Sequence, residues 1–494
     1  MIRSLEVHNF KPFGVAQTPE LAPITLIYGP NSSGKSSLIQ ALLLLQQSIG
    51  RSGGEDFSLI PRGDLIDLGS FRSLLFSHDL EKALTIGVTF DGRLMPRENR
   101  PMRSRLPLQA TRSARMVFRS EDAAAGSGSP ILSDVEIRLT GELEFRIALK
   151  RMLDVAEDDA EEITPNALFE WADETSIESL ATYFMDRVEK RSPPLPRGPL
   201  ERAQIRQFLA DACMAGGGLL PSRLVPRSAS PRSDDFWTYQ RYLGGAMSPV
   251  EGVNAELTDL IKNIQYLGPL REAPERHYLI SGRNESTVGR AGQFTSQVIH
   301  RRAAPLTRLI NTWFGKFEIP YTLKTKLLAD DVMGELVTMT LTDSRSMVDV
   351  APSDVGFGIG QLLPIVVQGL ISVGQIICVE QPEIHLHPRL QAHLADFLVA
   401  TTRLSDDRPV GRPRPSGNQW IVETHSEALM LRLQRRIREG KLDPGAVSVL
   451  YVQPAGRNGA EILRLRIDGA GEFVDEWPDG FFEDSYREMF SVQS

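Results

Sequence analysis

The stretch ITLIYGPNSSGKSSLIQALLLLQQ, from Ile24 to Gln47, carries the strongest indication of the fold of this chain. Its first residues, Ile24–Tyr28, form an almost entirely apolar run, as expected of a strand that is covered on both faces of a sheet. A loop bounded by glycines follows, and a helix is predicted from about Lys35 to Gln47, with the apolar run Leu42–Leu45 inside it. Strand, loop and helix in this order begin an α/β unit.

The loop after this strand matches the phosphate-binding pattern G-x-x-x-x-G-K-[ST] without a mismatch. Its glycines let the backbone curl so that N–H groups point at phosphate oxygens, and the helix N-terminus adds partial positive charge. In such a loop Lys35 contacts the β- and γ-phosphates, and the Ser36 hydroxyl binds Mg²⁺. We therefore predict a nucleotide site made by Gly29, Pro30, Asn31, Ser32, Ser33, Gly34, Lys35, Ser36 and Ser37.

Two further predicted strands end in candidate catalytic residues. The apolar run Ile376–Val379 ends in Glu380, which we expect to hold the water shell of the Mg²⁺ ion beside a phosphate loop. The run that begins at Trp420 leads directly to His425. A neutral imidazole at that point can hydrogen-bond the γ-phosphate or the attacking water.

A glycine-rich stretch, Asp354–Gln361, precedes the strand of Glu380 and opens an apolar helix. The free N–H groups at a helix start suit an anion. As a pattern this is weak, because glycines before helices are common, and its position just before the acidic strand is what makes it informative.

The order of phosphate loop, glycine-rich helix start, acidic strand and histidine resembles that of ABC-type ATPases. The segments LIYGPNSSGKSSLIQALLLLQQ, VEQPEIHLHPRLQ and ETHSEALMLRL resemble the SMC/RecF/OLD-like AAA-family ATPases of bacteria. YLGPLREAPER at 266–276 and EFVDEWPDGFFED at 472–484 are similar to a subgroup of stand-alone ATPases with a short C-terminal domain of unknown function. The resemblance covers residues 1–90 and 264–494.

This resemblance implies an α/β fold, a two-lobed ABC-type ATPase head of the RecF/SMC kind, with ATP and Mg²⁺ as cofactors. The middle of the chain, with arginine-rich, acidic and proline-rich segments, is expected to be a largely helical insertion. The expected divisions are a first core part at 1–90, the insertion at 91–263, a second core part at 264–450 and a short C-terminal cap at 451–494.

In the family, two copies close head-to-tail over two ATP molecules. The resemblance therefore implies a homodimer that forms on ATP binding, with a higher oligomer left open. Gly358, Gly360 and Gln361 of one copy then act in trans on the γ-phosphate bound by the other copy. Gly358 departs from the family pattern, which has serine at this position, so a side-chain donor to the phosphate is lost.

A second departure concerns catalysis. Alignment of the acidic strand with the usual Asp-Glu-Pro pattern places Gln381 where the catalytic glutamate belongs. An amide can orient water but cannot accept its proton, and general-base catalysis typically contributes about 10²–10⁴ in rate. We therefore expect slow hydrolysis and a long-lived ATP-bound dimer, with Glu383 and His425 as the residues that could compensate. The catalytic candidates are Glu380, Gln381, Glu383 and His425.

A metal site is an alternative function for part of this region. Glu383, His385 and His387 alternate in sequence, so they would share one face of a strand, with His425 as a fourth ligand. The other interpretation, which we favour, is that they belong to the dimer-facing loop after the acidic strand.

The composition indicates the cellular compartment in which the protein is expected to work. The 494 residues carry a net charge of −8 and only two cysteines, which argues against a disulfide framework and fits a reducing cytoplasm. The N-terminus lacks the pattern of a signal peptide, and Leu362–Val379 is better explained by a helix followed by a strand than by a membrane span. We expect a cytoplasmic protein without membrane contact.

The segment Arg93–Arg119 offers a local basic surface in this acidic chain. It holds Arg93, Arg97, Arg100, Arg103, Arg105, Arg112, Arg115 and Arg119. Such a segment can bind the DNA backbone or an acidic partner, and equally it can pair with the acidic residues at 154–178 of the same chain.

The leading prediction is an ATPase whose nucleotide-driven dimerisation controls a separate effector protein, a nuclease or toxin, in anti-phage defence or genome maintenance. The stretch after His425 is short for a Toprim nuclease domain, so nuclease activity is expected in a partner. One alternative is a scaffold that holds ATP almost unhydrolysed and sequesters such a partner. Another is a RecF-like DNA repair ATPase.

Overall fold

A computed structural model describes most of the chain, and it divides the chain into two compact units. Unit 1 comprises residues 1–20, 37–263 and 454–461, and unit 2 comprises residues 21–36, 264–453 and 462–494. The described residues are 1–51, 57–92, 109–121, 128–141, 144–152, 167–189, 201–216, 219–227, 248–279, 285–330, 334–402 and 417–478.

The described strands are numbered in chain order. They are β1 (Ile2–His8), β2 (Ile24–Tyr28), β3 (Leu84–Asp91), β4 (Thr111–Ser120), β5 (Pro130–Thr140), β6 (Phe145–Arg151), β7 (Leu168–Trp171), β8 (Ala212–Ala215), β9 (Arg223–Pro226), β10 (Ile264–Leu267), β11 (His277–Leu279), β12 (Tyr321–Asp330), β13 (Gly334–Asp343), β14 (Asp349–Val350), β15 (Ile376–Glu380), β16 (Gln419–Glu423), β17 (Val447–Pro454) and β18 (Ala460–Leu465).

The described helices follow the same numbering. They are α1 (Lys35–Arg51), α2 (Phe71–Leu74), α3 (Glu174–Glu189), α4 (Arg202–Ala210), α5 (Ser248–Lys262), α6 (Thr295–Lys316), α7 (Phe357–Ile371), α8 (Pro388–Thr402) and α9 (Glu427–Arg438). The α/β class predicted from the sequence is confirmed.

Unit 1 is built on an eight-stranded antiparallel sheet in the order β1-β3-β4-β5-β6-β7-β8-β9. Strands β1, β5 and β6 largely alternate between buried and more exposed residues, as expected of a sheet with one solvated face, whereas β3 and β8 are mostly buried. Strands β5 and β6, which are neighbours along the chain, pair antiparallel.

The description of residues 91–263 as a largely helical insertion needs correction. The long strands β4 and β5 lie in this segment, and with β6 to β9 they extend the sheet that β1 and β3 begin. Its helices, α3 to α5, lie in the second half of the segment. The arginines of β4 alternate with buried residues such as Ala114 and Met116, which is a strand pattern.

Unit 2 is built on a six-stranded sheet in the order β10-β15-β16-β2-β17-β18. The four pairings from β10 to β17 are parallel. Every residue of β2, β15 and β16 is buried. This explains why these strands read as continuous apolar runs rather than alternating ones.

A second, smaller sheet in unit 2 contains β11, β13, β12 and β14. Helix α6 lies against β12, where Asn311 exchanges two hydrogen bonds with the backbone of Leu323 (2.7 and 3.0 Å). Aromatic side chains join the layers of the core, since Trp313 and Trp420 both make edge contacts with Phe397.

The C-terminal part of unit 2 packs on the strand that precedes the phosphate loop. Trp477 contacts the rings of Tyr28 and Tyr451 edge-on, with centroids 5.5 and 6.0 Å apart. This is the described portion of the predicted cap, whose residues 479–494 lie outside the described part of the chain.

Within the described residues, no helix has the length and apolarity needed to cross a membrane. The apolar stretch Leu362–Val379 is divided between α7 and β15, as expected from the sequence.

A buried ion pair in unit 1 gives a test of this fold. Arg112 is fully buried, and its Nε lies 3.1 Å from a carboxylate oxygen of Glu256. We expect Arg112→Met to lower the free energy of unfolding by about 3–5 kcal/mol, because it removes the cationic partner of a buried carboxylate. Arg3→Met, which removes the exposed pair with Asp91, should cost less than about 1 kcal/mol. Urea unfolding followed by circular dichroism checks both values, and equal losses would contradict the placement of Arg112.

Candidate nucleotide site

The phosphate loop connects β2 to α1, as the sequence predicted, and its backbone takes the conformations that the pattern requires. Gly29 and Gly34 have φ values of 143° and 105°, and Ser32 has a φ of 62°. A Cβ atom on Gly29 would lie 2.2 Å from the carbonyl oxygen of Val452. Glycine is therefore needed at this position for both its φ value and its lack of a side chain.

Lys35 is buried at the start of α1. Its Nζ donates hydrogen bonds to the carbonyl oxygens of Gly29 (3.1 Å) and Pro30 (2.8 Å). Burial lowers the pKa of Lys35, while the negative charges of Glu423 and Glu383 oppose this shift. The ammonium group is thus held inside the loop, where phosphate oxygens can replace these carbonyl groups.

Ser33 adds a second polar group inside the loop. Its buried hydroxyl has no hydrogen-bond partner among the residues that the structure describes. A buried hydroxyl is normally satisfied, so this orphan fits a loop that is completed by the oxygens of a bound nucleotide.

The Ser36 hydroxyl donates a 2.6 Å hydrogen bond to the carboxylate of Glu423, at the end of β16. Sequence reasoning treated Glu423 only as part of the strand that leads to His425. Burial raises the pKa of this carboxyl group, and Ser36 and Lys35 oppose the shift. The signal that could have revealed it is the strand register, because Glu423 lies directly beside Glu380 in the sheet.

Glu380 ends β15 and is buried, as predicted for a group that faces the nucleotide. One of its carboxylate oxygens accepts a 2.9 Å hydrogen bond from the Tyr266 hydroxyl. Burial and the neighbouring Glu423 raise the pKa of Glu380 to about 7, against the effects of Tyr266, Arg290 and Arg271.

These side chains fit a Mg²⁺ ion by their chemistry. A hydroxyl and two carboxylates are hard oxygen donors, the class that Mg²⁺ prefers. Ser36 would hold the ion directly and Glu380 through water, with Glu423 bound to Ser36 from behind. When bound, the ion neutralises charge on the phosphate oxygens.

Gln381, at the place of the catalytic glutamate, has a left-handed backbone with a φ of 44°. Such a φ is uncommon for a residue other than glycine. Its N–H donates to the carbonyl oxygen of Glu423 (2.8 Å). Arg271 lies beneath this turn and donates to the carbonyl oxygens of Glu380 (2.7 Å) and Gln381 (3.4 Å). Arg271 is a second residue that sequence reasoning missed.

Glu383 does not offer a free carboxylate in this structure. One of its oxygens accepts a hydrogen bond from the Thr424 hydroxyl and the other from the N–H of His425, both at 2.7 Å. Glu383 thus fixes the backbone of the segment that carries the predicted phosphate-sensing histidine. Burial and the charge of Lys35 lower the pKa of His425, which keeps its imidazole neutral at pH 7.

The metal site considered for Glu383, His385 and His387 does not form on a strand. All three residues lie in the turns between β15 and α8, so they do not share a strand face. Among the residues that the structure describes, no group of three or more His, Cys, Asp or Glu side chains is placed to hold a metal ion.

The glycine-rich helix start contacts other parts of unit 2. A Cβ on Gly358 would lie 3.0 Å from the carbonyl oxygen of His385, and one on Gly360 would lie 2.4 Å from Pro274. Gln361 is buried, and its amide donates to the carbonyl oxygen of Arg271 (3.1 Å). The contacts of Gly360 and Gln361 within their own chain were not anticipated. Their action in trans stays a prediction.

The arginine-rich segment is only partly described. Arg93, Arg97, Arg100, Arg103 and Arg105 lie outside the described residues. Each of the three described arginines has a carboxylate partner in its own chain. The pairs are Arg112 with Glu256, Arg115 with Glu6 and Arg119 with Asp134.

The Ser36–Glu423 hydrogen bond predicts a role in metal binding. Glu423→Gln keeps the size of the side chain but removes its charge. We expect the affinity for Mg²⁺ of the ATP complex to fall by about tenfold, as for other groups that orient metal ligands. ATP binding in EDTA should not weaken. Isothermal titration calorimetry measures both quantities, with Glu439→Gln, an exposed carboxylate, as the control. An unchanged Mg²⁺ affinity would contradict this role.

The raised pKa of Glu380 predicts a pH dependence of stability in the metal-free protein. Below about pH 4.5 this carboxyl is protonated in both the folded and the unfolded state. Between pH 4.5 and its folded pKa of about 7, the unfolded state ionises more readily, so folding loses up to about 3 kcal/mol as the pH rises. Glu380→Gln should therefore stabilise the protein more at pH 8 than at pH 5. Thermal unfolding at both pH values checks this, and an equal effect at both would contradict it.

A comparison with protein families found a match to the model described as "AAA domain, putative AbiEii toxin, Type IV TA system", over residues 24–96 and 233–431. A search of curated proteins found no match. Among solved structures, the SMC head bound to the C-winged-helix domain of ScpA matches with 12% identity and a TM-score of 0.41, covering 94% of this chain and 98% of that chain.

An SMC head from Pyrococcus furiosus, with an extended coiled coil and bound to the C-terminal domain of ScpA, gives 12% identity and a TM-score of 0.41, covering 94% of this chain and 96% of that one. The SMC head from Thermotoga maritima matches with 11% identity and a TM-score of 0.35, covering 94% of this chain and 99% of that one. These likenesses are distant. The family match covers more than half of the chain and includes the phosphate loop, the glycine-rich helix start, the acidic strand and His425, and the chain belongs to this AAA-domain family.

Proposed function

We propose that this protein binds ATP with Mg²⁺ and works as a dimeric, nucleotide-gated switch that controls a separate effector protein. Membership of an AAA-domain family supports nucleotide chemistry in general. The finer proposal rests on the residues around the phosphate loop, which connect the nucleotide site to the His425 segment and, through Arg271, to the start of α7.

The observation that carries the proposal is the hydrogen bonding of Glu383. Both oxygens of its carboxylate accept donors from the Thr424–His425 segment. A carboxylate that is occupied in this way is poorly available to take a proton from water, and Gln381 cannot take one at all. Both features favour slow hydrolysis. ATP then acts for most of its residence as a structural ligand that holds the dimer closed.

His425 is the residue through which the nucleotide would act on the protein backbone. If His425 contacts the γ-phosphate, loss of that phosphate changes the position of a segment whose N–H is bonded to Glu383. Ser426 extends this connection, because its carbonyl oxygen accepts a 2.9 Å hydrogen bond from Tyr28, next to the phosphate loop. Through these contacts the state of the nucleotide would reach the start of α9, which Ser426 caps.

The setting we propose is anti-phage defence in the bacterial cytoplasm, with a nuclease or toxin as the effector. The description of the matched family names a putative AbiEii toxin and a type IV toxin–antitoxin system, which supports a toxin-related setting. A RecF-like DNA repair role receives less support, because the described arginines of the basic segment are engaged in ion pairs.

A second candidate function is an ATP-held scaffold that sequesters its partner. Gln381 favours it, since a site without a general base can hold ATP almost indefinitely. The two functions differ in turnover. A switch hydrolyses ATP and its dimer dissociates, whereas a scaffold remains dimeric after one ATP has bound.

The test of the proposal is the oligomeric state with and without nucleotide. Analytical ultracentrifugation should show monomers in EDTA and dimers with ATP and Mg²⁺. Lys35→Ala should remain monomeric, because it removes the contact with the β- and γ-phosphates. A wild-type protein that binds ATP and stays monomeric would overturn the proposed function.

Single-turnover hydrolysis tests the catalytic assignment. We expect Glu383→Gln and His425→Ala each to slow hydrolysis by about tenfold or more, because the first disturbs the position of the histidine and the second removes it. Dimer formation with ATP should persist in Glu383→Gln. If neither substitution alters the rate, these residues do not compensate for Gln381.

A further inference from the structure

Arg271 is a buried cation in the connection between β10 and β11, residues 268–276. Its exposed fraction is 6%. Burial lowers the pKa of Arg271 to about 10, and the charges of Glu383 and Glu380 oppose this shift, so the guanidinium stays charged at neutral pH. A charged group in such a place costs free energy unless its contacts compensate. An apolar side chain of similar volume would lose less free energy on burial, so a charged residue at this position indicates a specific role for its contacts.

The guanidinium of Arg271 binds the backbone at the end of the acidic strand. One Nη donates to the carbonyl oxygen of Glu380 at 2.7 Å, and the other lies 3.4 Å from that of Gln381. These are consecutive peptide groups, and the second belongs to the residue with the left-handed φ of 44°. The planar, forked donor set of arginine suits two neighbouring acceptors of this kind. Arg271 therefore fixes the turn that aims the carboxylate of Glu380.

The backbone of the same connection binds the start of α7. The carbonyl oxygen of Arg271 accepts a 3.1 Å hydrogen bond from the buried amide of Gln361. Three residues further on, Pro274 packs so closely on Gly360 that a Cβ there would lie 2.4 Å from the proline ring. The start of α7 and residues 271–274 therefore cannot move independently.

At its other end the connection follows Tyr266, whose hydroxyl donates to the carboxylate of Glu380. Glu380 is thus held twice from one short piece of chain, at its carboxylate by Tyr266 and at its carbonyl by Arg271. The glycine-rich helix start is held by the same piece of chain. The chain from Tyr266 to Pro274 therefore connects Glu380, the candidate metal-holding residue, to the start of α7, the candidate dimer-facing segment.

We propose that Arg271 is a positioning residue that couples the start of α7 to the metal-holding end of β15. Contact of a second copy with α7 then stabilises the arrangement of Glu380 that suits Mg²⁺, and Mg²⁺ binding favours the arrangement of α7 that suits the second copy. Coupling of this kind is reciprocal. The inference rests on the proposed function, because it regulates the same nucleotide site.

The test uses Arg271→Met, which replaces the aliphatic stem of the side chain and removes its donors, and Arg271→Lys, which keeps a charge and can donate to one carbonyl group. In EDTA, both variants should bind ATP as the wild type does, since the donors of Arg271 serve Glu380 and Gln381 rather than the phosphate loop. The affinity of the ATP complex for Mg²⁺ should fall by about tenfold in Arg271→Met. Arg271→Lys should recover part of that loss. Arg345→Met, at an exposed ion pair elsewhere in unit 2, is the matched control.

Two measurements give the result, calorimetric titration of Mg²⁺ into the ATP complex and ultracentrifugation with ATP. The proposal expects both Mg²⁺ affinity and dimerisation to weaken in Arg271→Met. Gln361→Ala should weaken Mg²⁺ affinity too, with an effect that does not add to that of Arg271→Lys in the double variant. This second pair of variants decides the matter if Arg271→Met fails to fold.

Wild-type Mg²⁺ affinity in folded Arg271→Met would overturn the coupling, and so would fully additive effects of Arg271→Lys and Gln361→Ala. The Mg²⁺ titration does not require dimers. A wild-type protein that stays monomeric with ATP would therefore overturn the proposed function, while the titration still decides on the position of Glu380.

Discussion

The parallel register of β15, β16 and β2 is the constraint on which the candidate site depends. Glu380 lies beside Glu423, and Glu423 lies beside Ile27, so all three strands end at one edge of the sheet. In open α/β sheets the carboxyl ends of the strands are where ligands bind. The phosphate loop and the segments of Gln381 and His425 follow directly from these ends. A shift of one residue in the register would separate Ser36 from Glu423.

The charges at this edge of the sheet favour the binding of a metal ion and a nucleotide. Glu380 and Glu423 are buried side by side, and burial raises the pKa of both. Lys35 and Arg271 supply positive charge nearby, but each is also used to bind backbone carbonyl groups. A Mg²⁺ ion adds positive charge where two carboxylates are close, and ATP brings the phosphates that Lys35 and the loop N–H groups can bind. The charges of Glu380 and Glu423 would thus be neutralised by the metal ion, and the charge of Lys35 by the phosphates.

The sequence predicted the elements that local pattern determines. The strand Ile24–Tyr28, the phosphate loop, α1, the strand that ends at Glu380 and the strand that leads to His425 all follow from apolar runs and glycine spacing. Glu423 and Arg271 were missed because their importance comes from partners more than 100 residues away, Ser36 and Glu380. Strand β4, within residues 91–263, was missed for another reason. The arginines of β4 were taken as a charge cluster, whereas they alternate with buried residues along one strand.

We propose that one chain supplies the phosphate loop and the metal-holding carboxylates while a second copy completes the site. A structure determined with Mg²⁺ and a non-hydrolysable ATP analogue measures this most directly. We expect Mg²⁺ on Ser36, with Glu380 reaching it through water, and the start of α7 from a second copy at the γ-phosphate. A nucleotide bound in a monomer, or a metal ion away from Ser36 and Glu380, would contradict it.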